Sequence, residues 1–185
     1  MPINYPISQE QIEKNKKMRD EGETDDEIAK LLRNDDVDTF QSIISKNPTS
    51  LQNIDIKPNM FDSFLTSKMR CIDYSAAYGS IKCFKYMLLN NEKVDSNTFE
   101  MAIIGGNNEI IRIIDNEIGE NIFSYPSLFG VVHPSIKLFT RSISRHQNDI
   151  FDWMFEKKNT LNKGYLETHA KCAVENGNVH ALIQI

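Results

Sequence analysis

The chain has 185 residues, of which 40% are hydrophobic, with 8 glycines, 6 prolines and a formal net charge of −5. This composition fits one domain with a sizeable core and excludes both a fibrous and a disordered chain. Residues 20–38 carry nine acidic and two basic side chains, so the remaining sequence is slightly positive and has no basic stripe of the kind that binds nucleic acid.

The first element is a polar helix. Residues 1–7 are expected to form a loose arm, and Ser8 to Gln11 has the spacing of a helix-opening capping box. The helix that follows should reach about Glu21 and end at Gly22. We therefore assign residues 1–22 to an N-terminal helical extension.

A second capping box, Thr24 to Glu27, opens a helix with an apolar face. Together with the first helix it looks like the start of a helix-turn-helix DNA-binding unit. The third element of such a unit places its first residues in the major groove. Here it would begin with Asp35-Asp36-Val37-Asp38, which presents carboxylates to phosphates. DNA binding is therefore the alternative function and not the main one.

The central stretch, residues 74–91, contains a short helical segment that stops at Gly79 and an apolar-periodic segment that follows at once. Glycine between two helical patterns is a helix-ending signal because it enters the left-handed conformation without a Cβ penalty. The same pattern recurs in four other places, roughly 36 residues apart on average. The corresponding turn residues are Asp35, Gly106, His146 and Gly177.

A helix pair this small cannot bury its apolar faces alone, so such pairs must stack. We predict an all-α solenoid of about four to five degenerate repeats. The predicted inner helices lie near 71–78, 98–105, 138–145 and 168–176, and the predicted outer helices near 81–90, 108–116 and 148–157.

The segments AAYGSIKCFKYML and AIIGGNNEIIRII resemble the ankyrin repeat, whose period is about 33 residues. They are most similar to a divergent ankyrin subset that is expanded in some protozoan parasites. The resemblance covers residues 23–185. The usual Thr-Pro-Leu-His signature reads Arg70-Cys71-Ile72-Asp73 in one repeat, and Asp115 stands at an expected apolar position.

The resemblance implies a non-enzymatic scaffold that binds a protein partner through the concave inner-helix face. Carried over position by position, the exposed inner-helix sites would be Tyr74, Tyr78, Met101, Arg141 and Arg145. Tyrosine and arginine suit such a surface because they combine a large contact area with a polar group. The alternative is that Tyr74 and Tyr78 only cover the helix beneath them.

Three stretches lose the helical period: residues 48–70, 116–135 and 157–165. The first is predicted to be an extended loop with a short helix, inserted over the first groove of the repeats. The last helix, from Val179, should be about seven residues long and ends with apolar residues. Because solenoids usually end in a polar capping repeat, we expect a truncated array with an exposed apolar end.

No motif for catalysis stands out. The histidines, at 133, 146, 169 and 180, lack zinc-ligand spacing, and there is no nucleophile elbow or phosphate loop. His169 and Cys172 share one helix face and are interpreted as a surface histidine beside a packed cysteine. Trp153 is expected to be partly buried against the neighbouring repeat. We expect no catalytic residue, no metal and no cofactor.

The three cysteines form no close pair, which argues against a secreted disulfide framework. The sequence shows no signal-peptide core and no apolar run long enough to span a membrane. These features predict a cytoplasmic monomer that binds neither membranes nor nucleic acid.

Overall fold

The computed structural model describes residues 8–46, 51–118 except 60, 63 and 66, 134–158 and 165–185. These residues form eleven α-helices, one short 3-10 helix and two strands of two residues each. The all-α fold class is therefore confirmed. The expected arm at residues 1–7, most of the irregular stretch 116–135 and His133 lie outside the described residues.

In chain order the helices are α1 (Gln9–Glu21), α2 (Glu27–Arg33), α3 (Val37–Lys46), α4 (Cys71–Tyr78), α5 (Ile81–Leu89), α6 (Ser96–Gly105), α7 (Asn108–Ile118), α8 (Pro134–Ser144), α9 (Asn148–Lys158), α10 (Leu166–Glu175) and α11 (Val179–Gln184).

From α2 onward the helices form two rows. Helices α2, α4, α6, α8 and α10 pack in succession and are called the inner row. Each is paired with the helix that follows it in sequence, and these helices, α3, α5, α7, α9 and α11, are called the outer row. The predicted inner and outer helices agree with these bounds to within a few residues, and α4 agrees at both ends.

The five predicted turn residues all adopt the left-handed backbone conformation. Their φ angles are 52° at Asp35, 69° at Gly79, 66° at Gly106, 56° at His146 and 65° at Gly177. A side chain in this conformation costs about 1–2 kcal/mol. Asp35 and His146 therefore carry a strain that the three glycines avoid, and the predicted register of the helix pairs is confirmed.

The outer helices that follow these turns repeat one burial pattern. Three residues on each face the core with at most 4% of their surface exposed: Cys83, Phe84 and Met87 on α5, Ile110, Ile111 and Ile114 on α7, and Ile150, Phe151 and Met154 on α9. The matching positions share burial although their side chains differ in shape. The buried positions on each outer helix have the helical spacing that the apolar residues show in the sequence.

Helices α4 and α6 approach each other closely at Gly105. A Cβ atom added there would lie 2.3 Å from the carbonyl oxygen of Ala76 and 2.9 Å from that of Ala77. Real Cβ atoms do not come this close to backbone oxygen, so glycine is required. The sequence pattern assigned a role to Gly106 and none to Gly105.

The N-terminal helices follow the prediction with one change. Helix α1 begins directly after Ser8 and ends before Gly22, whose φ is 70°. Helix α2, however, is capped by Asp26, whose side chain accepts a hydrogen bond from the Ala29 N–H at 3.1 Å. Thr24 lies outside the helix, where its hydroxyl accepts from the Asp26 N–H.

The segment before α4, Leu51–Arg70, contains a 3-10 helix at Leu51–Asn53 and two strands. Strand β1 (Asp55–Ile56) pairs antiparallel with β2 (Met69–Arg70), and Ile56 is fully buried. The segment therefore packs on the helices, in agreement with the predicted insertion.

The close approach at Gly105 yields a stability prediction. The substitution Gly105→Ala should lower the free energy of unfolding by roughly 1–3 kcal/mol, since backbone atoms must move to admit the methyl group. Gly177→Ala is the control, because its Cβ would meet no atom within 4 Å and only the left-handed strain remains. Urea midpoints check this; a cost at Gly105 no larger than at Gly177 would contradict it.

Candidate binding surface

Asp62, in the segment before α4, has a completely buried side chain. Arg33 of α2 donates hydrogen bonds to both carboxylate oxygens at 2.9 Å, and the Tyr74 hydroxyl donates one at 2.8 Å. The Tyr78 hydroxyl and the Asn59 amide donate as well. We call these five residues the Asp62 cluster. It ties the segment to the first two helices of the inner row.

Aromatic rings surround this cluster. The Phe64 ring packs against those of Tyr74 and Tyr78, with centroids 6.2 and 5.9 Å apart. The Arg33 guanidinium lies 5.1 Å from the centre of the Tyr78 ring and 5.8 Å from that of Phe61. The ion pair is thus enclosed by apolar surface, where an unpaired charge would be costly.

The hydrogen bonds decide the charge state of the cluster. Burial alone would raise the pKa of Asp62, but the bonds from Tyr78, Asn59, Tyr74 and Arg33 outweigh it and hold that pKa below its usual value. Burial and the Asp62 carboxylate raise the pKa of Tyr78 to about 12 and also raise that of Tyr74. Asp62 is therefore ionised, and both tyrosines are neutral donors.

These contacts correct the expected exposure of the inner-helix sites. Tyr74 is 0% and Met101 5% exposed, and Tyr78 is half-buried with its hydroxyl on Asp62. For the two tyrosines the reason is that Asp62 and Phe64, in the segment before α4, cover the α4 surface that the repeat pattern leaves open. For Tyr74 and Tyr78, the interpretation as covering residues agrees with the structure.

Further along the inner row a cleft of about 280 Å³ remains open, and we call it the inner-row cleft. Met101 and Arg141 both line it, together with Glu100 of α6. Arg141 is exposed, and its Nε donates to a Glu100 carboxylate oxygen at 2.9 Å. The opposite wall comes from the segment before α4 and includes Phe64, Ser67, Lys68 and Met69.

Arg145 follows directly after the last residue of α8, one turn beyond Arg141, and is exposed. It is not among the lining residues of the cleft. The structure thus divides the five predicted residues: Tyr74 and Tyr78 join the Asp62 cluster, Met101 and Arg141 line the cleft, and Arg145 lies beside it.

A second polar network joins the starts of α4 and α6. Arg70 donates to Asp73 at 2.9 and 2.8 Å and to Asp95 at 3.0 Å, and the Thr98 hydroxyl donates to Asp73 at 2.7 Å. Asp95 also caps α6 by accepting from the Thr98 N–H. Asp73 is the last residue of the divergent signature segment Arg70-Cys71-Ile72-Asp73, and these bonds join it to the start of α6.

His169 is buried and not at the surface, so its interpretation from the sequence was wrong. It is 1% exposed, its ring centre lies 5.3 Å from that of Phe139, and its Nδ1 has no hydrogen-bond partner among the described residues. Burial lowers the pKa of His169 to about 4, so the ring is neutral at pH 7. Cys172 is only partly buried.

The other polar candidates offer no reacting group. Burial raises the pKa of Cys71 and of Cys83 to about 12, so both thiols stay protonated and are poor nucleophiles. In the described ranges, no group of three or more His, Cys, Asp or Glu side chains is placed to hold a metal ion. Trp153 is half-buried, with its ring 6.2 Å from that of Phe99 in the neighbouring helix pair.

Two further observations concern DNA and membranes. Asp38 lies in the first turn of α3, and Asp36, directly before the helix, accepts from the Thr39 N–H, so acidic groups stand where a recognition helix would meet phosphates. Among the described helices, none is both long and apolar enough to cross a membrane.

Comparisons with protein-family models, curated proteins and solved structures find no match to this chain.

The buried ion pair gives a prediction for Asp62. Asp62→Asn should cost about 3–5 kcal/mol of unfolding free energy, because Arg33 then keeps a buried charge without a counterion. Glu109→Gln, which breaks the exposed ion pair with Lys85, should cost less than about 1 kcal/mol. Chemical denaturation of both variants checks this, and equal costs would show that the cluster adds little to stability.

The buried imidazole gives a prediction for pH. The His169 pKa is lowered from 6.5 to about 4 in the folded state, so the unfolded chain binds more protons between these values. Stability from this group is complete above pH 6.5 and is lost as the pH falls toward 4. Between pH 7 and 5 the loss should be roughly 2 kcal/mol. His169→Leu should remove this loss; an unchanged pH dependence of the urea midpoint would contradict it.

Proposed function

We propose that this chain is a non-enzymatic protein-binding module of the ankyrin-like solenoid type, whose partner docks on the inner row. The observation that carries the proposal is the open inner-row cleft beside the exposed Arg141 and Arg145. In stacked helical repeats the inner helices form the extended binding surface. Partner contacts would then come from α6 and α8 and not from the covered α4.

Two features support the ankyrin-like part of the proposal. Five helix pairs stack in two rows, and all five predicted turns are left-handed. Repeats of this kind bind through surface shape and a few energetically dominant side chains, without chemistry at the site. The protonated state of the buried Cys71 and Cys83 fits this role.

The proposal includes a monomeric protein of the cytoplasm. The three cysteines are free, which suits a reducing compartment. No observation on the described residues favours the DNA-binding alternative, since α3 opens with carboxylates.

The test is site-specific photo-crosslinking in native cytosol. A photoreactive residue at Arg145, on the inner row, should capture a defined partner. The same residue at Lys82, an exposed position on the outer-row helix α5, is the matched control and should capture none of it. Equal capture at both positions, or capture at Lys82 alone, would place the binding surface elsewhere.

A substitution adds a quantitative check. Arg145→Glu should weaken binding of the captured partner at least tenfold, or about 1.4 kcal/mol. Its urea midpoint should stay unchanged because the side chain is exposed. Tyr74 and Tyr78 are unsuitable for this test, since their loss would also break the Asp62 cluster.

A further inference from the structure

The exposed side of α8 carries one type of charge. Lys137 and Arg141 are four residues apart on one face of α8, Arg145 follows directly after the helix with its N–H on the Arg141 carbonyl oxygen at 3.0 Å, and all three are exposed. The opposite face is buried through Leu138, Phe139, Ser142 and Ile143. We call the three cations the α8 stripe.

Among the residues that the structure describes, few acidic groups neutralise this stripe. Glu100 pairs with Arg141 through Nε, and its side chain is only 13% exposed. Asp73, which also lines the inner-row cleft, is held by Arg70 and Thr98. In the part of the chain that the structure describes, Lys137 and Arg145 form no ion pair. The cleft lining carries three acidic and three basic side chains, so the excess positive charge comes from Lys137 and Arg145, which flank Arg141.

The contacts that α4 makes within the chain indicate which chemical group the α8 stripe binds. Tyr74 and Tyr78 stand five residues and one residue before the left-handed turn at Gly79, and there they hold the carboxylate of Asp62. Arg141 and Arg145 stand five residues and one residue before the turn at His146. The two α4 positions that bind a carboxylate from within the chain thus correspond to two arginines, one on α8 and one directly after it, and arginine is the strongest carboxylate ligand among side chains.

The cleft beside the stripe supplies apolar contact. Met101 and Phe64 line it, and its volume of about 280 Å³ lies just below the range of drug-sized ligand sites. Most of its lining is polar, and the apolar part, formed by Phe64, Met69 and Met101, offers contact to one apolar side chain. The exposed Asp55 and Lys68 stand on the wall formed by the segment before α4.

We propose that the partner docks through an acidic segment, with its carboxylates on the α8 stripe and one apolar side chain in the inner-row cleft. This inference rests on the proposed function and adds the chemistry of the partner. Association should be faster and tighter at low ionic strength, because the charges are exposed and salt screens them.

The experiment selects peptides from a random library on the wild-type chain and measures their binding by fluorescence anisotropy. The stripe variant carries Lys137→Gln, Arg141→Gln and Arg145→Gln. The control variant carries Lys16→Gln, Lys82→Gln and Arg112→Gln, which removes the same charge from exposed positions on α1, α5 and α7. Urea midpoints confirm that both variants fold.

We expect the selected peptides to be acidic with an apolar residue. Their affinity should fall at least tenfold in the stripe variant and less than threefold in the control variant. Replacing the acidic residues of a peptide by lysine should abolish binding. Equal losses in both variants would mean that net charge alone attracts the peptide, and would overturn the inference.

A third variant separates this inference from the proposed function. Ser67→Lys places a charge at an exposed position of the cleft wall without removing any cation from the stripe. Uncharged or basic peptides that bind the wild type and lose affinity in this variant would overturn the acidic partner and leave the inner-row site standing. Peptides that bind all variants as well as the wild type would overturn both.

Discussion

The stack of helix pairs depends on how closely α4 and α6 approach each other. At Gly105 the separation leaves no room for a Cβ atom against the carbonyl oxygens of Ala76 and Ala77. Small residues on both sides let the two helices pack along their backbones, and the core residues Ile72, Phe99 and Ile103 fill the space around them. Because packed interiors tolerate little extra volume, this contact fixes the spacing of the pairs on either side.

A row of polar contacts along the turns holds the pairs in register. The residue directly after a left-handed turn reaches back to a backbone carbonyl of the preceding pair: Ser80 to Leu32, Asn107 to Gly79 at 2.9 Å, and Asn178 to Ile143 at 3.0 Å. Asp35, itself a turn residue, instead contacts the pair that follows: its carboxylate accepts a hydrogen bond from the Cys83 N–H at 2.9 Å. These bonds satisfy groups at helix ends that packing would otherwise leave unpaired. The turns can therefore be irregularly spaced along the sequence while the helix pairs still stack regularly in space.

The sequence predicted what depends on local pattern. Turn residues and buried outer-helix positions follow from spacing and left-handed propensity, and this holds even for His146, which is not glycine. The burial of Tyr74 was not predictable in this way, because it depends on Asp62, twelve residues earlier in a segment without periodicity. The burial of His169 depends on the ring of Phe139 in another helix pair. Gly105 is the last residue of α6, directly before the left-handed Gly106, and no local rule requires glycine there.

The inner row changes character along its length. On α4 it is closed, since the chain supplies its own carboxylate and aromatic rings to Arg33, Tyr74 and Tyr78. The corresponding residues at the end of α8 are Arg141 and Arg145. The described part of the segment before α4 lines the cleft together with Arg141 and does not reach Arg145. The acidic side chains of the molecule are concentrated at residues 20–38, at the other end of the stack. At the cleft the acidic side chains are Glu100, which pairs with Arg141, and Asp55 and Asp73. An acidic ligand on the α8 stripe would therefore contact mainly Lys137 and Arg145, and it would meet little repulsion from residues 20–38 once salt screens them over about 10 Å.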